Sequence, residues 1–350
     1  MNAIWLIPPG ALQYASQPEP ERGLLECHIA SVRLRAGVAA HAWKRAGNGN
    51  IFHDPAEADG SGPIDWKTAS LCVVPKYYYD LPLKPWLDAC LAAKSNGVPL
   101  VVDICDNPFA KPQPVPEFYS RVLAVCDAVV ANSGHMAELM ASRGARRPRI
   151  IEDAILSPTV TPVFAPTGRV ELLWFGHPSN LPYLDTCCDT LFQFAANRQC
   201  RLTVVTQEGI GAEEWVEEIQ APRKPGFEAR FIPWSLEVMQ VALRQCDIVI
   251  IPSDPSDSLK AGASANRIAE ALNAGRFAVA SPLPSYLEFA DAAWLGRDLV
   301  QGIEWALAHP HEVLVRIKRG QSLVAERFGA DRIGRRWCEL FDQLGRVPDL

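Results

Sequence analysis

Between Pro252 and Ser281 the chain reads PSDPSDSLKAGASANRIAEALNAGRFAVAS, a stretch that gathers the residue types able to hold a phosphate. Hydroxyls come first at Ser253, Ser256 and Ser258. Lys260 follows, then the small residues Ala261, Gly262, Ala263 and Ser264, then Asn266, Arg267 and Glu270. Small residues at a helix start let an anion approach backbone N–H groups, and the helix dipole favours negative charge there. Lysine adds a mobile cation, and arginine a fork that matches paired phosphate oxygens. Glu270 lies three residues after Arg267 and four after Asn266, on a shared helical face. A carboxylate so placed can accept from the two hydroxyls of a ribose. The same spacing equally suits an ordinary Arg267–Glu270 surface pair.

A second constellation, Glu171 to Asn180, reads ELLWFGHPSN, a strand running into a turn and a helix. Gly176 permits close backbone approach, and Ser179 or Asn180 can cap the following helix. His177 is placed either as a ligand group or as a turn histidine satisfied by neighbouring backbone. In the first half, VVDICDN (Val101–Asn107) ends a strand in Asp103 and continues with Asp106 and Asn107. Carboxylates in that position bind hydroxyls, act as a base or hold a metal. Alternatively Asp106 and Asn107 begin a turn before Pro108. Ser31–Gly37, SVRLRAG, offers Arg33 and Arg35 as anion contacts or as solvated helix residues. Lys76 precedes three tyrosines, Tyr77 to Tyr79, on which a sugar ring could stack.

Such groups need strand ends to carry them, and the chain supplies these in two series. Short apolar runs alternate with amphipathic stretches, the pattern of parallel sheets covered by helices. Strands are expected at Ala3–Ile7, Leu71–Val74, Pro99–Ile104 and Ala128–Ala131. A second series is expected at Glu171–Phe175, Arg201–Val205, Ala229–Ile232, Ile248–Ile251 and Phe277–Ala280. The helical patterns are Leu24–Lys44, Leu83–Asn96, Pro116–Val125, His135–Arg143, Leu181–Asn197, Glu213–Ile219, Leu236–Arg244 and Ala265–Asn273. Gly47–Pro63 reads as a polar loop. Ser157–Gly168, with three prolines and no helical period, reads as a linker. A last helix, Ala330–Gly345, gathers Ile333, Trp337, Leu340, Phe341 and Leu344 on one face and must bury it. The expected organisation is therefore a Rossmann-like domain over 1–160, a second over 161–329, and a closing helix over 330–350 that packs on the first.

Composition narrows the function. At 350 residues, 48% hydrophobic and 21% charged, the chain is an ordinary globular protein of two-domain length. A net charge of -6 argues against a nucleic-acid partner, which calls for a basic stripe. No run approaches the ~20 apolar residues of a membrane span, and the start MNAIWLIPPG reads as a strand, not a signal peptide. The ten cysteines form no Cys-x-x-Cys pair and sit mainly in apolar runs, consistent with reduced thiols and a cytoplasmic location. Pro8-Pro9-Gly10 after the first strand lacks the Gly-x-Gly-x-x-Gly turn of a dinucleotide-binding dehydrogenase.

The segment AEALNAGRFAVAS (Ala269–Ser281) resembles the EAxAxGxPVVAS segment of retaining GT-B glycosyltransferases, above all glycosyltransferase family 4. The Asp103–Asn107 segment, the Ser31-x-Arg-x-Arg run and Lys260 before Asn266-Arg267 are similar to a bacterial polysaccharide-type subgroup. The resemblance implies two Rossmann-like domains facing a cleft and transfer of a sugar from a nucleoside-diphosphate sugar. The acceptor would be a glycan, a lipid-linked sugar or a protein, with at most peripheral membrane association. It places Glu270 on the ribose, with Gly176, His177, Ser179, Asn180, Ser253, Lys260, Asn266 and Arg267 completing the donor site. Lys260, Arg267, Asp103 and Asp106 become the catalytic set, and Arg33, Arg35, Lys76 and Asn107 the acceptor contacts. No metal and no resident cofactor are implied. Two positions depart from the family pattern: Gly262 stands where a second glutamate contacts the donor sugar, and His177 where an arginine grips the diphosphate. Other readings are a nucleotide-sugar 2-epimerase on the same fold and an inactive nucleotide-sugar-binding homologue.

Overall fold

A computed structural model of the chain describes residues 1–56, 64–209, 211–221 and 224–345. Contacts divide the chain into two compact units. One comprises Met1–Leu156 with Ala261–Ser264 and Arg327–Leu350; the other comprises Ser157–Lys260 with Ala265–Glu326.

The first unit is built on six parallel strands: β1 (Asn2–Leu6), β2 (Gly49–His53), β3 (Leu71–Val74), β4 (Leu100–Ile104), β5 (Ala128–Ala131) and β6 (Arg149–Ile150). Their order is β2-β1-β3-β4-β5-β6, in a register that sets Ile4 beside Cys72 and Val73 beside Val101. β3 and β4 are buried at every position because a layer of side chains covers each face. Trp86, Phe118, Met136 and Met140 fill one layer, and Trp5, Trp43, Trp337 and Phe341 the other.

Two expectations here need correction. Gly47–Pro63 contains β2, which pairs with β1 at the sheet edge. An edge strand satisfies only one neighbour and keeps polar, half-exposed positions, so its sequence lacks an apolar signature. Residues 57–63 of that expected loop lie outside the described residues. The expected single helix Leu24–Lys44 is instead a helix at Pro20–Leu25, a wider π-helical turn at Val32–Gly37 and a helix at Val38–Arg45. All six residues of the π-helical turn are buried, Arg33 and Arg35 among them.

The terminal helix Ala330–Gly345 buries its apolar face in the first unit. Phe341 meets Trp5 at 5.8 Å and Trp43 at 5.3 Å between ring centroids. Gly334 allows the helix to lie close on Val38–Arg45, since an added Cβ would stand 2.6 Å from the Ala42 Cβ. Gly334→Ala should therefore destabilise the protein by about 1–3 kcal/mol through overpacking, although alanine is the better helix former by about 1 kcal/mol. A urea melt checks this, and an unchanged or raised midpoint would show that the helix pair has slack.

The second unit repeats the plan with β7 (Val170–Phe175), β8 (Cys200–Thr206), β9 (Phe227–Pro233), β10 (Ile248–Ile251), β11 (Phe277–Ala280) and β12 (Trp294–Leu295). The order is β12-β11-β10-β7-β8-β9, again all parallel. The expected helix Leu181–Asn197 is interrupted at Thr186 and Cys187. The Thr186 hydroxyl donates to the Tyr183 carbonyl at 2.7 Å, a local bond that competes with the helical ladder. The proline-rich segment after Leu156 is tied to this unit by Asn273. That side chain donates to the Ser157 carbonyl at 2.9 Å and accepts from the Thr159 hydroxyl at 2.9 Å. All ten cysteines are free thiols, and burial pushes Cys105 and Cys246 up to about 12. Among the described residues no helix is long and apolar enough to cross a membrane.

Candidate functional site

In an open parallel sheet the ligand crevice forms at the carboxyl ends of the strands where the order reverses. In the second unit that point lies between β7 and β10. The turn after β7 carries Gly176 to Asn180, and the loop after β10 carries Ser253 to Lys260, so the topology brings the first two constellations together.

Gly176 has φ +158°, and a Cβ on it would stand 3.5 Å from both Arg267 Nη1 and Asn180 Nδ2. Its carbonyl accepts from the Thr206 hydroxyl at 2.6 Å, and its N–H donates to the Val205 carbonyl at 3.3 Å, fixing the turn to β8. Asn180 is turned toward the loop: its Oδ1 accepts from Lys260 Nζ at 2.5 Å. It therefore makes no side-chain cap for the helix it precedes. His177 takes the turn reading in part, with Nδ1 accepting from the Ser179 N–H at 3.2 Å and lying 2.9 Å from its hydroxyl. The exposed imidazole thereby caps the short Pro178–Asn180 turn.

The helix Asn266–Asn273 starts at Ala265, where no side chain caps its first N–H groups. Asn266, Arg267 and Glu270 lie on its partly exposed positions. Arg267 reaches the turn after β7, where its Nη1 lies 3.5 Å from a Cβ built on Gly176. Its Nη1 is buried and finds no hydrogen-bond partner among the described residues, and the same holds for Asn266 Oδ1 and Ser253 Oγ. Such atoms each cost about 1–3 kcal/mol unless something binds them. Ser253 is held by its N–H, which donates to the Ser281 hydroxyl at 2.9 Å. Three unsatisfied polar atoms, an uncapped helix start and Lys260 thus stand at the end of one pair of strands.

The first unit reverses its strand order between β1 and β3. Lys76, just past β3, donates to Asp106 at 2.6 Å, with side chains 21% and 36% exposed. Burial works against the Lys76 charge, but Asp106 and its neighbours outweigh it and hold the ammonium well above the ordinary lysine range. The Lys76 Nζ also lies 5.0 Å from the Tyr78 ring centre, and the Tyr78 hydroxyl is 2.6 Å from that of Ser31.

Four other expected residues of the first unit are placed differently. Arg35 is fully buried and grips Asp103 with two bonds of 2.7 and 2.6 Å and Asp153 with a third of 2.6 Å. Burial raises the Asp103 carboxyl and the guanidinium opposes that rise. With 0% and 1% of their side chains exposed, neither Arg35 nor Asp103 can meet a substrate. They are an internal ion-pair network. Arg33, 6% exposed, donates to the Cys27 carbonyl at 2.5 Å. Asn107 accepts from the Phe109 N–H at 3.1 Å and caps the turn at Pro108–Ala110, as the turn reading has it. Asp153, Tyr183 and Asp257 were not singled out from sequence. Each is recognisable only through a partner distant in the chain.

No protein-family model matches the chain, and no curated protein matches it in sequence. Solved structures do match in shape. Anabaena HepE in complex with UDP-glucose superposes with a TM-score of 0.67 at 16% identity, covering 98% of this chain and 100% of that one. A glycosyltransferase from Rickettsia africae gives 0.67 at 12% identity, over 99% and 98% of the two chains. A Listeria monocytogenes protein assigned as a UDP-N-acetylglucosamine 2-epimerase gives 0.58 at 10%, over 98% and 96%. The fold is therefore GT-B, two Rossmann-like α/β units with helices. Among these structures the fold carries both a glycosyltransferase and a protein assigned as an epimerase.

Proposed function

We propose that this chain is a glycosyltransferase of the family 4 type whose second unit binds a nucleoside-diphosphate sugar and whose first unit presents the acceptor. The observation that carries the reading is the convergence of Gly176, Asn180, Lys260 and Arg267 at the β7–β10 reversal, with buried Arg267 Nη1, Asn266 Oδ1 and Ser253 Oγ lacking partners among the described residues. A diphosphate supplies acceptors for Arg267, Lys260 and the free N–H groups at the start of Asn266–Asn273. Glu270, one turn into that helix, takes the ribose hydroxyls. The HepE complex with UDP-glucose supports a uridine nucleotide as the first donor to try.

The leaving diphosphate gains negative charge as the glycosidic bond breaks. Preplaced cations and N–H donors lower that barrier without reorganisation, so Lys260 and Arg267 serve where other enzymes use a metal. Lys76 and Asp106 orient the acceptor hydroxyl. Transfer with retention follows if that hydroxyl attacks from the face the diphosphate vacates, its proton passing to a diphosphate oxygen. An epimerase would instead need acid–base groups arranged around the sugar ring.

Incubation with UDP-glucose, GDP-mannose, dTDP-glucose and ADP-glucose, each alone and with a cell-envelope glycan extract, tests the reading. Nucleoside diphosphate release that depends on acceptor, with labelled sugar in the glycan, is expected. Conversion of the donor sugar without acceptor would assign the epimerase instead. No turnover of any donor under either condition would leave a binding protein.

A further inference from the structure

Lysine has four rotatable bonds and gives up rotamer freedom when it is fixed. At a phosphate site it must nevertheless be held where the charge develops. In the second unit Lys260 is held on two sides. Asn180 Oδ1 accepts from its Nζ at 2.5 Å, and the Tyr183 ring centre lies 5.2 Å from the same nitrogen. Tyr183 comes from the helix Leu181–Asp185 that follows the β7 turn. Lys260 comes from the short helix Ser258–Ala261 that follows β10, so the two elements meet at this ammonium.

A second linkage joins the same two elements. The Tyr183 hydroxyl donates to Asp257 Oδ2. Asp257 Oδ1 accepts from the Leu259 N–H at 2.8 Å, and its carbonyl accepts from the Lys260 N–H at 2.9 Å. Asp257 therefore shapes the backbone that carries Lys260 and anchors it to Tyr183. Burial and the Asp257 bond push the Tyr183 hydroxyl up to about 12, so it keeps the proton it donates. We propose that Tyr183 and Asp257 are positioning residues that hold the Lys260 ammonium at the strand reversal, one through its ring and the other through the loop backbone. The proposal rests on the reading of Lys260 as the cation facing the leaving diphosphate. Neither residue touches the reacting atoms.

The test has two arms. In the first, lysines are reductively methylated with formaldehyde and cyanoborohydride, and the rate at each is followed by peptide mass spectrometry. Lys84, with 85% of its side chain exposed, is the internal reference. Tyr183→Leu should raise the Lys260 rate relative to Lys84 by about threefold, Tyr183→Phe should raise it less because the ring remains, and Asp257→Asn should fall between wild type and Tyr183→Leu. An unchanged Lys260 rate in folded Tyr183→Leu overturns the proposal, whether or not the protein is a transferase.

The second arm is a double-mutant cycle in donor turnover. Tyr183→Leu should lower kcat about tenfold with little change in KM, yet have no further effect in Lys260→Ala. Additive losses would mean that Tyr183 acts on the fold at large. If wild type turns over no donor, the functional reading fails on its own, and the methylation arm still decides the positioning claim.

Discussion

Arg267→Met is expected to lower kcat/KM for the nucleotide sugar by about 10²–10³, the effect of removing one preplaced donor to a developing oxyanion. The same substitution should leave the melting temperature of the ligand-free protein unchanged or raise it. Arg267 Nη1 is buried without a partner among the described residues, a cost of about 1–3 kcal/mol that methionine removes. Function and stability then move in opposite directions, as they do where a site is kept polar for a ligand. Steady-state kinetics and a thermal melt of the two proteins decide it. A lower melting temperature with retained turnover would make Arg267 a structural residue.

Arg35→Ala is expected to cost about 3–5 kcal/mol of native stability, because it strands two carboxylates, Asp103 and Asp153, in the interior. Against a total of about 5–15 kcal/mol for a typical domain, that is enough to unfold much of the first unit at 37 °C. The mechanism makes a second demand. Replacing Arg35, Asp103 and Asp153 together with leucines removes the charges along with their desolvation cost. It should recover most of the loss, since buried ion-pair networks are commonly no more stable than apolar packing of similar volume. Guanidinium melts of the single and triple variants check both statements. If Arg35→Ala melted like wild type and only weakened acceptor saturation, the buried network would not have the energetic role assigned to it.

Fold class was legible because it depends on patterns local to each element. Runs such as IVII at Ile248–Ile251 and FAVA at Phe277–Ala280 are buried on both faces, and a central parallel strand leaves such a run no polar position. Edge elements were not legible in the same way: Gly49–His53 and Trp294–Leu295 have only one neighbour and carry half-exposed residues. In the second unit the candidate site was readable because its groups follow strand ends directly, as Gly176 follows β7 and Ser253 follows β10. In the first unit the same rule misled. Asp103 and Arg35 have the residue types of a binding site, but they neutralise each other through a contact 68 residues apart in sequence. Spacing along a helix does not reveal that a π-helical turn carries Arg35 inward. Tyr183 and Asp257 carry no local signal for a related reason, being 74 residues apart and joined only where the segments after β7 and β10 fold together.

Hydrogen–deuterium exchange with and without UDP-glucose, or another nucleoside-diphosphate sugar that raises the melting temperature, probes the donor site most directly. The account predicts slowed exchange in two segments, the turn over residues 176–181 and the loop and helix start over 253–270, with no change around Arg35. Binding that leaves both segments unprotected, or that protects only the Lys76–Asp106 region of the first unit, would contradict it.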